Sequence, residues 1–262
     1  LHIGDQYTGT MGDVYIYKEA LTKEQIDTLY RTTKVNSVYE QLAADTCIYP
    51  LNLPFHLPLT AIRSYLSFFK TSLPAIWQAF NGPEKSMSAA VCREVLEISS
   101  EELKLYTSLL NVSDSDSVCK AYGLQAGVNP ADELATIDKF LAQTGLTYDV
   151  LVALINQDLS QDEIDKQQSS CLFINATGES KDPISIDRDG GKLTNLTLKR
   201  LGRLNCLMRL TQKTNLTYAD LDWVLQTAIS LTATAEKSSA VEITDKVLET
   251  LAYVRLWQRA YN

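Results

Sequence analysis

Apolar residues recur at helical spacing through most of the chain, and the densest run lies between Leu193 and Leu225, LTNLTLKRLGRLNCLMRLTQKTNLTYADLDWVL. Leu198, Leu201, Leu204 and Met208 follow at intervals of three, three and four, which places them on one helix face. Leu196, Leu207 and Leu210 fall off that face, so the helix has two apolar sides and is expected to lie between neighbours. Gly202 leaves room for one neighbour to come close. Lys213-Thr214-Asn215 marks the end, because Asn tolerates a left-handed backbone, and Thr217 with Asp220 opens the next helix.

The same opening recurs elsewhere. An aliphatic residue, a Ser or Thr cap, an aliphatic residue at plus five and an apolar one at plus eight appear as Ile98-Ser99-Leu103-Tyr106, Leu146-Thr147-Leu151-Leu154 and Leu216-Thr217-Leu221-Val224. Leu21, Leu193 and Ile243 begin three more, and Thr22 with Gln25 forms a capping box. The spacing between copies is irregular, which points to a shared way of starting helices and not to a fixed-period solenoid. Further helices are predicted over Ala89–Leu96, Glu101–Leu110, Leu134–Gln143 and Tyr148–Asn156, with a polar loop from Asn111 to Asp116. Leu59, Ile62, Tyr65, Leu66 and Phe69 line a helix that Pro58 can start and Thr71-Ser72 breaks, before a second over Ala75–Phe80. A short helix is expected between Val35 and Ala44. The proline-rich stretch from Tyr49 to Pro58 is an extended apolar strap.

Strand periodicity is confined to short pieces. From His2 to Tyr17 polar and apolar residues alternate after a Gly-rich turn, and such a hairpin needs partner strands upstream of Leu1. Cys171–Asn175 and Ile184–Ile186 are strand-like and predict a small hairpin, while Leu231–Ala240 reads as a Thr, Ala and Ser linker. The fold class is therefore mainly α: an irregular multi-helix array of helical hairpins packed in layers, with a small β-hairpin and an N-terminal β fragment. Residues 1–31 and 32–262 form the expected domains. The pattern from Thr244 to Asn262 has no stop signal, so the helical domain is expected to continue beyond it.

Composition narrows the function classes. A chain of 262 residues buries roughly 70 to 75% of its unfolded surface and needs no staples. Twenty-four Lys and Arg against 32 Asp and Glu give a net charge of -8, which argues against nucleic acid and anionic membranes as partners. Cys47, Cys92, Cys119, Cys171 and Cys206 are odd in number and embedded in apolar segments, so buried free thiols formed in a reducing cytoplasm are expected. No run of 18 apolar residues and no leader pattern occurs.

Candidate chemistry is sparse. His2 and His56 are the only histidines, and His56 in its apolar strap reads as structural. No Cys and His spacing suits a metal. Asp187-Arg188-Asp189-Gly190-Gly191 lacks the later ligands of a calcium loop and reads as a turn. Glu101-Glu102 and Asp162-Glu163 fall in first helical turns and read as capping acids. Asn111, Asn175, Asn195 and Asn215 open sequons, the last two at helix caps, and are expected to stay unmodified. Trp77, Trp223 and Trp257 stand among aliphatic residues and are expected in the core. No residue is nominated as catalytic, cofactor-binding or metal-ligating, and the chain is expected to be no enzyme.

Two resemblances add to this. GTMGDVYIYKEALTKEQIDTLY, within residues 1–31, looks like the closing segment of a laminin-G-like or concanavalin-like jelly roll. Across residues 49–259, YPLNLPFHLPLTAIRSYLSFFKTSLPAIWQAF, AAVCREVLEISSEELKLYTSLL, IDKFLAQTGLTYDVLVALI, CLFIN, ISIDRDGG, LKRLGRLNCLMRLTQKTNLTYADLDWVL and VLETLAYVRLWQRA resemble, in order, the α-helical shell of Tc insecticidal toxin A subunits. The resemblance implies a secreted or surface-displayed homopentamer that works with TcB/TcC-like subunits, binds a host receptor or glycan through inserted β-domains, and carries a toxic enzyme across a membrane. The alternatives are an extracellular carbohydrate-active enzyme or glycan-binding protein with a helical accessory domain, and a plain helical interaction scaffold. On the two-faced helix, Leu204→Asp is expected to remove about 3 kcal/mol or more of stability by burying an unpaired charge. The readout is a fall in Tm.

Overall fold

The computed structural model describes residues 20–32, 54–81, 86–112, 114–156, 171–176, 182–187, 189–236 and 242–261. The chain divides into two compact units, Leu1–Gln41 and Leu42–Asn262. In the first, helix α1 (Lys23–Thr32) starts at the predicted capping box: the Thr22 amide donates to Gln25 Oε1 at 2.8 Å and the Gln25 amide to Thr22 Oγ1 at 3.3 Å. The jelly-roll strands and the helix expected over Val35–Ala44 lie outside the described residues.

The second unit is helical. Its helices are α2 (Leu57–Phe68), α3 (Leu73–Asn81), α4 (Ala89–Val95), α5 (Ser100–Leu110), α6 (Ser115–Tyr122), α7 (Pro130–Glu133), α8 (Ile137–Thr144), α9 (Tyr148–Asn156), α10 (Leu198–Thr214), α11 (Tyr218–Glu236) and α12 (Asp245–Tyr261). One two-stranded antiparallel sheet, β1 (Ser185–Asp187) with β2 (Lys192–Thr194), sits before α10.

Helix starts follow the predicted grammar. Ser99, Thr147, Thr217 and Thr244 each accept the amide three residues on, at 3.1 to 3.4 Å. The aliphatic residue before each cap and the one five residues later both belong to or pack against the core, in the positions of a hydrophobic staple that fixes the angle of chain entry. Leu193 is a correction: it belongs to β2, and the staple is Leu196-Thr197-Leu201-Leu204, with the Arg200 amide donating to Thr197 Oγ1 at 3.2 Å.

The core is organised on α10. Every residue from Arg200 to Leu210 is buried, with α5, α6, α7 and α11 packed around it. A helix with ordinary side chains all round could not come so close to α5. Gly202 makes the contact, since a Cβ there would stand 2.0 Å from the Leu109 carbonyl oxygen. Asn215 then ends α10 at φ 56° and its amide donates to the Thr211 carbonyl, as the Lys213-Thr214-Asn215 break predicts.

Four expectations change. The polar loop expected from Asn111 to Asp116 is cut short by α6; Asp114 caps it through the Ser117 amide at 2.9 Å, and Gly123 ends it at φ 69°. The helix expected over Leu134–Gln143 begins only at Ile137, as α8, because Ala135 and Thr136 bond instead to the hairpin: the Leu193 amide donates to the Ala135 carbonyl at 2.7 Å. Cys171–Asn175 is a buried turn and not a strand, and Lys192–Thr194 takes its place beside β1. The linker expected from Leu231 is helical as far as Glu236. Gly202→Ala should cost about 1 to 3 kcal/mol by forcing α10 off α5, read as a lower urea midpoint with an unchanged slope.

Candidate functional site

The sequence nominates no active centre, so the candidates are the places where the fold gathers charge. The first is a cavity of about 520 Å³ between α2, the start of α3, the end of α4 and the end of α12. Arg63 reaches across it to form a two-pronged pair with Glu94, Nε to Oε1 at 2.7 Å and Nη2 to Oε2 at 3.0 Å. Glu97 stands beside it at φ 57°, a left-handed position where Gly is the usual choice, and so carries backbone strain on the order of 1 kcal/mol or more. Its carbonyl accepts from Arg63 Nη1 at 3.4 Å and Lys213 Nζ at 3.1 Å, and its carboxylate pairs with Arg259 at 3.3 Å. Ser64, Ser67, Thr71 and Ser72 complete the lining with hydroxyls.

This set can hold a small polar molecule. Both carboxylates are engaged by arginines, and no Cys or His belongs to the lining.

The second gathering is buried under α10. Glu102 stands in the first turn of α5, as read from the sequence, but is only 5% exposed; Oε1 accepts from Tyr106 at 2.7 Å and Oε2 pairs with Lys213 at 3.2 Å. Glu101 does stay at the helix start, at the surface. Arg209 Nε donates to Asn205 Oδ1 at 2.6 Å, Asn205 Nδ2 to the Ala121 carbonyl at 3.3 Å, and the Tyr122 hydroxyl to the Leu201 carbonyl at 2.8 Å. Burial, then the Glu102 charge, pushes the Tyr106 phenol well above its ordinary range, and burial lowers Arg209. Burial pushes the Cys206 thiol up to about 12, and burial with Glu249 and Asp245 pushes Cys92 up to about 11. Sequence reading missed this cluster, although Asn205 and Arg209, four apart in a leucine-rich helix, were the available signal.

The remaining expectations divide. His56 is structural: Nδ1 accepts the Leu59 amide at 3.1 Å as the N-cap of α2, with Nε2 3.9 Å from Glu101. Asp187 closes the hairpin turn by accepting the Gly190 amide at 3.1 Å. Asn195 is no helix cap but a left-handed residue whose Nδ2 donates to the Pro183 carbonyl. Cys92, Cys119, Cys171 and Cys206 are buried thiols. The tryptophans are a correction, since Trp223 and Trp257 are 71% and 65% exposed and only Trp77 packs partly against the core. Cys47 and the Asp162-Glu163 pair lie outside the described residues.

No family model, curated protein or solved structure matches this chain. Among the described residues no group of His, Cys, Asp and Glu could hold a metal ion.

The buried acids of high pKa set the alkaline behaviour. An unfolded thiol releases its proton near pH 9, whereas folded Cys206 keeps its proton to about 12. Stability is therefore full below about pH 9 and falls as pH rises towards about 12, with Cys92 and Tyr106 acting in the same direction. Between pH 8 and 10.5 Cys206 alone should remove about 2 kcal/mol, measured as a shift in urea midpoint.

Proposed function

We propose that this chain is a non-catalytic segment of the helical shell of a Tc-type toxin A subunit, preceded by the end of a β-sandwich that binds a receptor or glycan. The observation that carries the reading is α10, buried along eleven consecutive residues and enclosed by helices on several sides. A helix of this kind suits a load-bearing wall. The ordered resemblance of residues 49–259 supplies the family, and the charged gatherings fit the same role, because their acids and bases are engaged with one another.

In this role the work is mechanical. Stapled helix starts fix where each helix leaves its predecessor, and the wall they build protects a translocation channel in a secreted or surface-displayed homopentamer. TcB/TcC-like subunits deliver the cargo, and the inserted β-domains contact the host cell. Exposed Trp223, Tyr253, Trp257 and Tyr261 on α11 and α12 suit packing against neighbouring parts of such a wall.

Electron microscopy of the full parent protein is the direct test. Fivefold particles with this segment in the outer helical layer are expected. A monomer, or hydrolysis of a glycan panel by the chain, would overturn the reading.

A further inference from the structure

Helix α2 turns an aromatic face away from the rest of its unit. Its polar residues Thr60, Arg63, Ser64 and Ser67 recur at helical spacing, and the last three line the cavity towards Glu94 and Glu97. Leu59 and Leu66 are half-buried, and Leu66 joins the cavity lining, but the rest of the apolar stripe faces away. Ile62, Tyr65, Phe68 and Phe69 are all exposed, Tyr65 by 66% and Phe68 by 82%, and no residue of α2 is buried. Tyr65, Phe68 and Phe69 contact one another edge-on, with ring centroids 5.1 and 5.3 Å apart, so the outward rings form a cluster before any partner arrives. Phe80, 86% exposed, extends the aromatic surface onto α3.

Charge selects the occupant. The 28 residues from Pro54 to Asn81 hold Arg63 and Lys70 and none of the chain's 32 acids. Arg63 is spent on Glu94, which leaves Lys70 as the free charge at the α2–α3 turn, directly after the phenylalanine pair. The exposed aromatics of α11 and α12 differ, because Asp220, Lys246 and Glu249 lie on the same helices, a mixture usual for protein contacts. An acid-free, aromatic tip with one lysine has the composition of a segment that rests in a headgroup layer, where rings sit at the apolar boundary and the ammonium stays in water. No helix among the described residues is long and apolar enough to cross a membrane.

We propose that the outward face of α2 and α3, led by Tyr65, Phe68 and Phe69, docks on the surface of a zwitterionic lipid bilayer. The net charge of -8 disfavours an anionic one. The inference does not rest on the shell reading, and the attachment of α2 through Arg63, Leu59 and Leu66 is what turns its rings outward.

The test is sedimentation of the full chain with phosphatidylcholine vesicles. The native chain is expected to pellet with them, and Phe68→Ser to weaken partitioning about tenfold, the value of one buried ring. Trp223→Ser, which changes an exposed aromatic on α11, is expected to leave it unchanged. Phe68 makes no core contact, so circular dichroism melts should match; Tyr65→Ser is the second reporter if Phe68→Ser does not fold. Three results would overturn the proposal: native chain left in the supernatant, equal losses in the α2 and Trp223 variants, or concentration-dependent self-association without vesicles that Phe68→Ser abolishes. The last would make a second copy the occupant. Because the readout is a vesicle pellet from this chain alone, failure here leaves the fivefold test of the parent untouched.

Discussion

The structure depends on burying a helix that carries three arginines. Arg200, Arg203 and Arg209 are almost wholly inaccessible, and an unsatisfied guanidinium in that environment would cost more than the surrounding leucines return. Backbone and amide oxygens meet part of that need. Arg200 Nη1 donates to the Asn195 carbonyl at 2.6 Å, Arg203 Nη1 to the carbonyls of Ile174 and Ala176 at 3.2 and 3.1 Å, and Arg209 to Asn205. The acceptors sit on irregular segments that have carbonyls to spare. The left-handed turn at Asn195 and the turn at Cys171–Asn175 are therefore required by α10, and are not decoration on it.

That dependence runs in the other direction through Asp222 on α11. Its carboxylate accepts from the Leu172 amide at 3.1 Å, the Phe173 amide at 2.8 Å and the Cys171 thiol at 3.4 Å. A buried carboxylate with several donors can replace a ladder of strand bonds, and this coils Cys171–Asn175 into a turn whose carbonyls then meet Arg203. Periodicity alone could not reveal it. The apolar run Cys-Leu-Phe-Ile reads as a strand until a remote aspartate competes for its amides, which is a tertiary override of local preference.

Local chemistry was legible wherever one residue type had one favoured use. Ser and Thr caps with an aliphatic residue on each side fixed five helix starts, and Asn215 fixed a helix end, because these bonds form within a single turn. The misreading of Leu193 came from the same grammar shifted by three positions, Leu193-Thr194 against Leu196-Thr197. Helix α6 escaped notice because its first turn, Ser-Asp-Ser, is polar and its apolar face comes late, at Val118, Ala121 and Tyr122. Of the charged sites, the cavity pairs Arg63 with Glu94 and Arg259 with Glu97, contacts between distant segments that no spacing rule encodes.

The apolar stripe of α2 exposes a limit of another kind. Spacing correctly placed Ile62, Tyr65 and Phe69 on one face, yet it carries no information on which face turns inward. Arg63, held at both prongs by Glu94, and the half-buried Leu59 and Leu66 take the protein side, so the aromatic side receives solvent. The same logic separates Trp77 from Trp223 and Trp257. On α3 the indole follows the apolar stripe towards α4, whereas on α11 Asp222 must point inward to hold the Cys171 turn, and the adjacent Trp223 is thereby carried to the surface. A buried polar contact on a helix thus helps to decide the orientation of the apolar residues around it, and an exposed aromatic is best explained by asking which neighbours were needed inside.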